Sequence, residues 1–256
     1  MKKIFYIFDK NPKAQKLKKK ILNDGKNLSL KKAEIIAVAG GDGFMLKNLK
    51  KYYKFNIPFY GINCGNFGFL MNKLDKKNLT HKISKSKKIT IKTLKARIID
   101  KKNNKKNLIA INEISIFRQS RQTAFLNIKL KNKNIIKKLI ADGVLVSTPA
   151  GSTAYNLSVR GPILSLNSGK LAITPISPFR PRRWNGKIIS DKSIVKIVCL
   201  NSDKRPVAVS ADNVEIRNIK SLKISMNQSG KINLLFDKNR SLVKRIKIEQ
   251  VMKNFK

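Results

Sequence analysis

The sequence has few of the residues from which many catalytic and metal centres are built. Its 256 residues include one histidine, His81, and two cysteines, Cys64 and Cys199. Two isolated cysteines exclude a disulfide framework and a thiolate metal cluster. A histidine-dependent triad would have to use His81, which lies in the lysine-rich stretch Thr80-His81-Lys82. We therefore expect neither a histidine triad nor a metal centre built from thiolates.

Long apolar runs are missing as well. No run approaches the roughly 20 residues that a membrane-spanning helix needs. The apolar N-terminal run Ile4–Phe8 is stopped by Asp9-Lys10 before a signal-peptide core could form. We expect a cytoplasmic protein that has no membrane partner.

Acidic residues are also scarce. The sequence contains 14 Asp and Glu but 57 Lys and Arg, which gives a net charge of +43. Such a balance is typical of nucleic-acid-binding proteins. Here, however, the lysines are spread over the whole chain, and Asn and Ile, which share AT-rich codons with Lys, are abundant too. We attribute the charge to mutational drift of the genome and expect no specific nucleic-acid partner. A basic RNA-binding protein stays open as an alternative.

The hydrophobic pattern predicts an α/β N-terminal domain with a parallel sheet, followed by a mainly antiparallel β C-terminal domain. Apolar strand-like runs alternate with helical spacing up to the lysine-rich segment 76–88, which indicates parallel strands. Beyond it, strands follow one another at short spacing. The predicted domains are residues 1–87, which residues 240–256 could complete, and residues 88–239. The second domain's predicted features include a turn at Lys101–Lys106, a return strand Leu108–Phe117 and separate strands Leu222–Met226 and Ile232–Phe236. The segment Ser241–Val251 could be a helix or a strand.

Two glycine-rich loops follow strands of the first domain. The first is Gly40-Gly41-Asp42-Gly43, and the second lies within Asn63–Leu70. Glycines let the backbone approach a ligand, and the free N–H groups of a helix start attract phosphate. The candidate phosphate-loop residues are Gly40, Gly41, Asn63, Gly65 and Gly68. Asp42 would repel phosphate, so we interpret it as a general base or as a metal ligand.

A segment of small residues in the second half, Asp142–Pro162, interrupts the strand pattern. It contains Thr148-Pro149-Ala150-Gly151-Ser152-Thr153-Ala154-Tyr155, in which a Ser/Thr cluster precedes a short apolar pattern. The cluster predicts a helix N-cap, and the small residues would allow close packing against a flat ligand. No hydrolase elbow, GxxxxGK[ST] loop or GxGxxG fingerprint is present.

These motifs together resemble the NAD kinase family. The resemblance is carried by the first glycine loop, Asn63–Leu70, Asn112-Glu113, residues 142–162 and the later stretch Ile173–Pro181, which occur in this order over nearly the whole chain. It implies a reaction that phosphorylates NAD to NADP with ATP or polyphosphate as donor. It also implies a divalent metal cofactor, usually Mg²⁺, a site between the two domains, and a homo-oligomer, dimeric or tetrameric.

The resemblance also implies roles for individual residues. Asp42 would accept the proton of the adenosine ribose 2′-hydroxyl, although a role in binding Mg²⁺ stays open, and no residue is assigned to the metal. The positions that match the family's NAD contacts are Asp42, Gly43, Asn112, Glu113, Asp142, Ala150, Thr153, Ala154, Tyr155, Asn156, Leu157 and Ser158.

Two positions depart from the family's pattern. Arg160 stands where a Gly-Gly-Pro sequence is common, so a left-handed conformation costs more there, and its guanidinium could reach a phosphate. Ile140 stands where a basic residue is frequent. A lipid kinase of the same superfamily is the nearest alternative, but the Ser-Thr-Ala-Tyr loop and the Asn-Glu pair argue against it. The pattern leaves open the donor, the preference for NAD or NADH, and the oligomeric state.

Overall fold

The computed structural model describes residues 2–23, 25–65, 68–75 and 78–238. The chain divides into two compact units, residues 1–91 with 231–256 and residues 92–230. The first unit is thus assembled from both ends of the chain, and it includes residues 231–236, which we had expected in the second domain. The predicted element Ser241–Val251 lies outside the described residues.

The elements alternate in type at first and then become almost entirely strands. The helices are α1 (Pro12–Leu22), α2 (Asp42–Tyr52), α3 (Leu79–Ser84) and α4 (Tyr155–Ser158), with 3₁₀ turns at Leu30–Lys32, Tyr53–Phe55 and Gly151–Thr153. The strands are β1 (Ile4–Phe8), β2 (Ile35–Gly40), β3 (Phe59–Asn63), β4 (Asn72–Lys73), β5 (Lys87–Asp100), β6 (Lys105–Ala110), β7 (Glu113–Arg118), β8 (Ala124–Leu130), β9 (Lys133–Ser147), β10 (Lys170–Arg180), β11 (Lys187–Ser190), β12 (Val195–Cys199), β13 (Val207–Ala211), β14 (Val214–Ile216) and β15 (Ile219–Phe236).

Parallel strands form the centre of the first unit. β2 pairs in parallel with both β1 and β3, and the end of β15 pairs in parallel with β3. All six residues of β2 are buried, as expected of a parallel strand that is covered on both faces. The register places Gly40 opposite Asn63, so the two glycine-rich loops leave neighbouring strands at the same edge. This arrangement confirms the predicted parallel sheet.

The helices of the first unit begin where the sequence provides a start signal. Asn11 caps α1 by accepting a hydrogen bond from the Ala14 N–H at 2.9 Å, and Pro12 occupies the first helical position, where its missing N–H costs nothing. The buried face of α1, with Ala14 and Leu17, packs into the core that β1–β3 share with Leu235. Among the described residues, no helix combines the length and the hydrophobicity needed to cross a membrane.

Antiparallel strands form the second unit, as predicted. The 15-residue strand β9 pairs with β8 through its first part, with β7 through its last part, and with β10 along Ile140–Ser147. β13 continues the pairing beyond β7 and forms a hairpin with β14. The core contains Ile114, Ile116 and Val209 from one face of β7 and β13. The side chains of Ser115, Phe117 and Ser210 alternate with these residues along the strands, so they lie on the opposite face.

Several sequence-based boundaries in the second unit were wrong. The predicted return strand Leu108–Phe117 is interrupted at Ile111-Asn112, which separates β6 from β7, and Lys105-Lys106 belong to β6 instead of to the turn. The two predicted strands at 222–226 and 232–236 are one strand, β15. The sequence pattern predicts a strand at Val144–Ser147, but this is only the end of β9, which begins at Lys133; lysines and an asparagine hide the alternation in its earlier part.

Candidate functional site

The first glycine loop joins the buried strand β2 to helix α2. Gly40 ends the strand, Gly41 caps the helix in an extended conformation with φ −106°, and Asp42 is the first helical residue. The first N–H groups of a helix have no intrahelical partner, so this junction presents donors to an anion. Gly43 is exposed, and a Cβ atom added to it or to Gly41 would meet no atom within 4 Å.

The carboxylate of Asp42 is held by the second glycine loop. The Phe69 N–H donates to its Oδ2 at 2.6 Å, and the Leu70 N–H donates to its Oδ1 at 3.0 Å. Gly68 approaches closely, since an added Cβ would lie 2.9 Å from Asp42 Oδ1 and 2.7 Å from Met71 Cγ. Two fixed backbone donors restrict the carboxylate to one orientation.

The backbones of the two glycine loops are joined directly. The Cys64 N–H donates to the Gly40 carbonyl at 2.8 Å, and Asn63 accepts the Gly65 N–H through its side chain at 2.9 Å. The first unit thus brings all five candidate phosphate-loop residues together around Asp42: Gly40, Gly41, Asn63, Gly65 and Gly68. Asn66 and Phe67 lie outside the described residues.

In the second unit, the turn that contains Asn112 packs on the small-residue loop. The Asn112 carbonyl accepts the Thr148 N–H at 2.9 Å, and the Thr148 hydroxyl donates to the Ile111 carbonyl at 2.8 Å. The same hydroxyl accepts the Gly151 N–H at 3.0 Å. A Cβ atom at Gly151 would overlap the Asn112 backbone, so only glycine allows this approach. The Asn-Glu pair and the loop at 148–153 therefore form one assembly.

The predicted helix cap was wrong, because no hydroxyl of the small-residue loop caps α4. Ala154 precedes α4 without a side-chain cap, and α4 is a single turn. Ser152 Oγ donates to the Pro149 carbonyl at 2.7 Å and accepts the Leu164 N–H at 3.0 Å, which closes the loop on itself. Thr153 Oγ1 is buried and has no hydrogen-bond partner among the residues that the structure describes.

Tyr155 lies beside Phe117, with ring centroids 5.7 Å apart and planes 38° from parallel. Burial raises the pKa of the Tyr155 phenol above its ordinary value, and the negative charges of Glu113 and Asp142 raise the pKa further. The phenol therefore stays protonated at neutral pH, close to both carboxylates.

Asn156 is fully buried and holds the loop that follows α4. Its amide nitrogen donates to the carbonyls of Pro162 at 2.9 Å and Ser152 at 3.3 Å, while its oxygen accepts the Thr174 hydroxyl at 2.7 Å. These bonds give its side chain a structural role. The remaining residues of the run differ in exposure, since Ala150, Ala154 and Leu157 are half-buried and Ser158 is exposed.

Asp142 is paired with Arg118, its direct neighbour across β7 and β9. Arg118 Nε donates to Asp142 Oδ1 at 2.5 Å, and the same guanidinium donates to the Ser120 carbonyl at 2.8 Å. Both side chains are about one-third exposed, at 35% each. Arg118 also lines a cavity of about 230 Å³ on the face of β7, β13 and β14 opposite the core.

Comparisons with known proteins were made at the level of sequence and of structure. A model of the ATP-NAD kinase C-terminal domain matches residues 111–235. The NAD kinase of Zymomonas mobilis is 44% identical over 246 residues, which are 95% of each chain, and that of Rickettsia bellii is 43% identical over 250 residues, 98% of each chain. The chain belongs to the NAD kinase family. As a member of this family it is a phosphotransferase, and the comparisons give no support to a lipid kinase or an RNA-binding protein.

Solved structures from this family share the fold. The crystal structure of yeast NADH kinase complexed with NADH matches with a TM-score of 0.84 over 100% of this chain and 89% of that one, at 18% identity. An NAD kinase from Archaeoglobus fulgidus in complex with ATP matches with a TM-score of 0.73 over 94% and 96%, also at 18% identity. These matches and the parallel and antiparallel sheets confirm the predicted fold class.

The two departures from the family's pattern differ in their structural effect. Arg160 adopts the left-handed conformation, with φ 61°, so the backbone keeps a shape that favours glycine even though arginine is present. Ile140 is half-buried and pairs with Phe125 of β8 and Arg180 of β10. Arg160 is exposed.

Sequence reasoning missed two residues that contact the candidate site. Arg118 pairs with Asp142, and Asp212 binds the turn at Ile111–Glu113 through its carboxylate. Neither has a local signal, because each partner lies on another strand. For Arg118, the strand alternation around β7 and β9 would have placed it opposite Asp142 if the register had been known.

Proposed function

We propose that this protein transfers a phosphoryl group from ATP, or from polyphosphate, to the 2′-hydroxyl of the adenosine ribose of NAD, forming NADP. One observation carries the proposal: Asp42, at the start of α2, is held by two backbone N–H groups of the neighbouring glycine loop. A phosphoryl transfer needs an oriented acceptor oxygen and a group that takes its proton. A carboxylate with a fixed orientation, set among helix N–H donors that favour phosphate, suits both needs.

In the proposed mechanism Asp42 acts as the general base. Its carboxylate accepts the proton of the ribose 2′-hydroxyl while that oxygen attacks the terminal phosphorus of the donor. The bond from this phosphorus to the donor's bridging oxygen breaks, and ADP, or polyphosphate shortened by one unit, leaves. The first N–H groups of α2, at Asp42 and Gly43, would neutralise phosphate oxygens. Because the transition state of phosphoryl transfer is loose, we expect most of the rate to come from orientation and charge neutralisation.

We assign the NAD contacts other than Asp42 and Gly43 to the second unit. Support comes from the buried Thr153 hydroxyl, which has no partner within the described ranges, and from the apolar pair of Tyr155 and Phe117, which offers aromatic surface to a flat ring. Asn112 adds a side-chain amide that makes no hydrogen bond to any described residue. Asn156 would act through the shape of the loop, since its side chain is engaged internally.

A divalent cation fits this donor set in a limited way. Within the described residues, no group of three or more His, Cys, Asp or Glu could hold a metal ion. Mg²⁺ is commonly bound by one or two carboxylates together with substrate phosphates. Asp42 would bind Mg²⁺ only as the alternative to acting as the base, and Mg²⁺ bound there would neutralise the donor's phosphate oxygens. We propose that the enzyme depends on a divalent cation, that it acts in the cytoplasm, and that it is a homo-oligomer.

The proposal is tested by incubating the purified protein with Mg-ATP and NAD and measuring NADP with a dehydrogenase specific for it. Parallel reactions with polyphosphate and with NADH identify the donor and acceptor, and diacylglycerol and RNA serve as negative substrates. The decisive variant is Asp42→Asn, which keeps the shape but removes the base. We expect kcat to fall by roughly 10²–10⁴-fold, the range of general base catalysis, while NAD binding is retained.

The control for this test is Asp203→Asn, which removes the same charge from a side chain that is 98% exposed. Asp42→Asn turns one N–H acceptor into a donor, which costs about 1–3 kcal/mol of stability, so each variant is first checked by circular dichroism and thermal unfolding. A folded Asp42→Asn variant with kcat within threefold of the original would remove Asp42 from the chemistry.

A further inference from the structure

The backbone of Asn112 is fixed on every side. Its carbonyl accepts the Thr148 N–H, its Cα packs against Gly151, and its N–H donates to Asp212 Oδ1 at 2.9 Å. The side-chain amide, in contrast, is half-buried and makes no hydrogen bond to the described part of the chain. A residue whose backbone is immobilised and whose side chain is available is suited to present that side chain to a ligand.

Asp212 contributes more to this arrangement than one bond. Its Oδ2 accepts the Ile111 N–H at 2.9 Å, and its Oδ1 accepts the Glu113 N–H at 3.4 Å in addition to that of Asn112. Its own N–H donates to the Glu113 carbonyl at 3.2 Å. Three consecutive N–H groups therefore converge on one carboxylate that comes from about 100 residues further along the chain.

The position of Asp212 is itself set by the hairpin of β13 and β14. Asp212 and Asn213 connect the paired residues Ala211 and Val214, and Asp212 adopts a left-handed conformation with φ 51°. β13 pairs with β7 along five residues, which brings the hairpin end beside the start of β7. A hydrogen bond to an ionised group is about twice as strong as a neutral one, so the carboxylate is a firm anchor for the turn.

We propose that Asp212 is a positioning residue for NAD: it fixes the turn Ile111–Glu113 so that the Asn112 side chain points at the dinucleotide. This inference rests on the proposed function. Asp212 acts through the turn, so its loss should weaken NAD binding much more than it slows the transfer step. Asp42 should show the opposite pattern.

The test compares Asp212→Ala, which removes both acceptor oxygens and so all three hydrogen bonds, with Asp212→Asn, which keeps one oxygen but presents an NH₂ group to at least one of the N–H donors. The control is Ser210→Ala, which removes a hydroxyl that donates to the Asp212 carbonyl at 3.1 Å and leaves the carboxylate intact. For each folded variant, the NAD dissociation constant is measured by calorimetry without ATP, and kcat and both KM values are measured by NADP formation.

We expect Asp212→Ala to weaken NAD binding by at least tenfold and Asp212→Asn by about three- to tenfold, with kcat at saturating NAD within threefold and KM for ATP unchanged. Ser210→Ala should bind NAD normally. A merely structural role would lower the melting temperature without changing the dissociation constant of the folded protein. If Asp212→Ala does not fold, Asp212→Asn decides the question.

The inference is overturned if a folded Asp212→Asn or Asp212→Ala variant binds NAD within twofold of the original protein. This outcome is distinct from failure of the proposed function, in which the unmodified protein forms no NADP. A fall in kcat with an unchanged NAD dissociation constant would also overturn it, because Asp212 would then act on the transfer step.

Discussion

Replacing Gly43 by alanine separates the demands of the fold from those of the ligand. Gly43 is the second residue of α2, is exposed, and has no atom within 4 Å of an added Cβ. Alanine is about 0.5–1 kcal/mol more favourable than glycine inside a helix. The fold therefore gains from the change, and we expect the free energy of unfolding to rise by up to about 1 kcal/mol.

The expected effect on activity has the opposite sign. If the substrate packs against Gly43, the new methyl group occupies the space of a ligand atom. Inserting a methyl group into a well-packed contact costs about 1–3 kcal/mol, which corresponds to roughly a 5–150-fold loss of kcat/KM for NAD at about 1.4 kcal/mol per tenfold. A variant that is more stable and less active is difficult to explain by damage to the fold.

The assay combines urea unfolding with steady-state NADP formation. Lys47→Ala is the control, since Lys47 is exposed on the same helix one turn later. Its free energy of unfolding should stay the same, and its rate of NADP formation should change by no more than about twofold. A Gly43→Ala variant that keeps the original kcat/KM for both substrates would refute the reasoning, because the substrates would then not approach this part of α2.

Two further predictions concern the second unit. Arg160→Gly should raise the free energy of unfolding by about 0.5–1 kcal/mol. A left-handed conformation costs a non-glycine residue roughly 1–2 kcal/mol, and glycine loses part of that gain through its greater freedom when unfolded. In urea unfolding, an equal gain in Arg160→Ala would show that the charge and not φ is responsible. Because the pKa of Tyr155 is raised, the folded state keeps the phenolic proton up to a higher pH than the unfolded state does. The contribution of this group to stability is therefore fully present below about pH 10 and is lost as the pH rises through the folded pKa. Tyr155→Phe should show a shallower loss of stability above about pH 10, while the part due to Tyr6, whose pKa is also raised by burial, remains. An identical loss in both proteins would contradict the assignment.

The sequence was informative wherever a feature is encoded by neighbouring residues. The apolar run before Gly40 predicts a buried parallel strand, and the glycines that follow Asn63 place the second loop at the same sheet edge. Each of these signals is contained in fewer than ten consecutive residues.

Features that depend on distant partners could not be derived in this way. The carboxylate of Asp212 meets backbone groups about 100 residues earlier, and nothing near Asp212 distinguishes it from an ordinary turn residue. The predicted helix cap failed for a related reason, since the Ser152 hydroxyl bonds to Pro149 and Leu164. The choice between a capping and a loop-closing bond depends on where residues after 160 return.

The division of the chain has a consequence for its synthesis. The first unit needs the final part of β15, in which Leu234 and Leu235 pair with β3, whereas the second unit is one continuous stretch. A ribosome adding roughly 5–20 residues per second takes on the order of 10–30 s to deliver the ~140 residues in between. The segment that emerges first therefore waits with the edge of β3 uncovered at Phe59 and Tyr60, and the middle of the chain can mature ahead of it. A chaperone that shields nascent strands would have its longest task at the amino terminus.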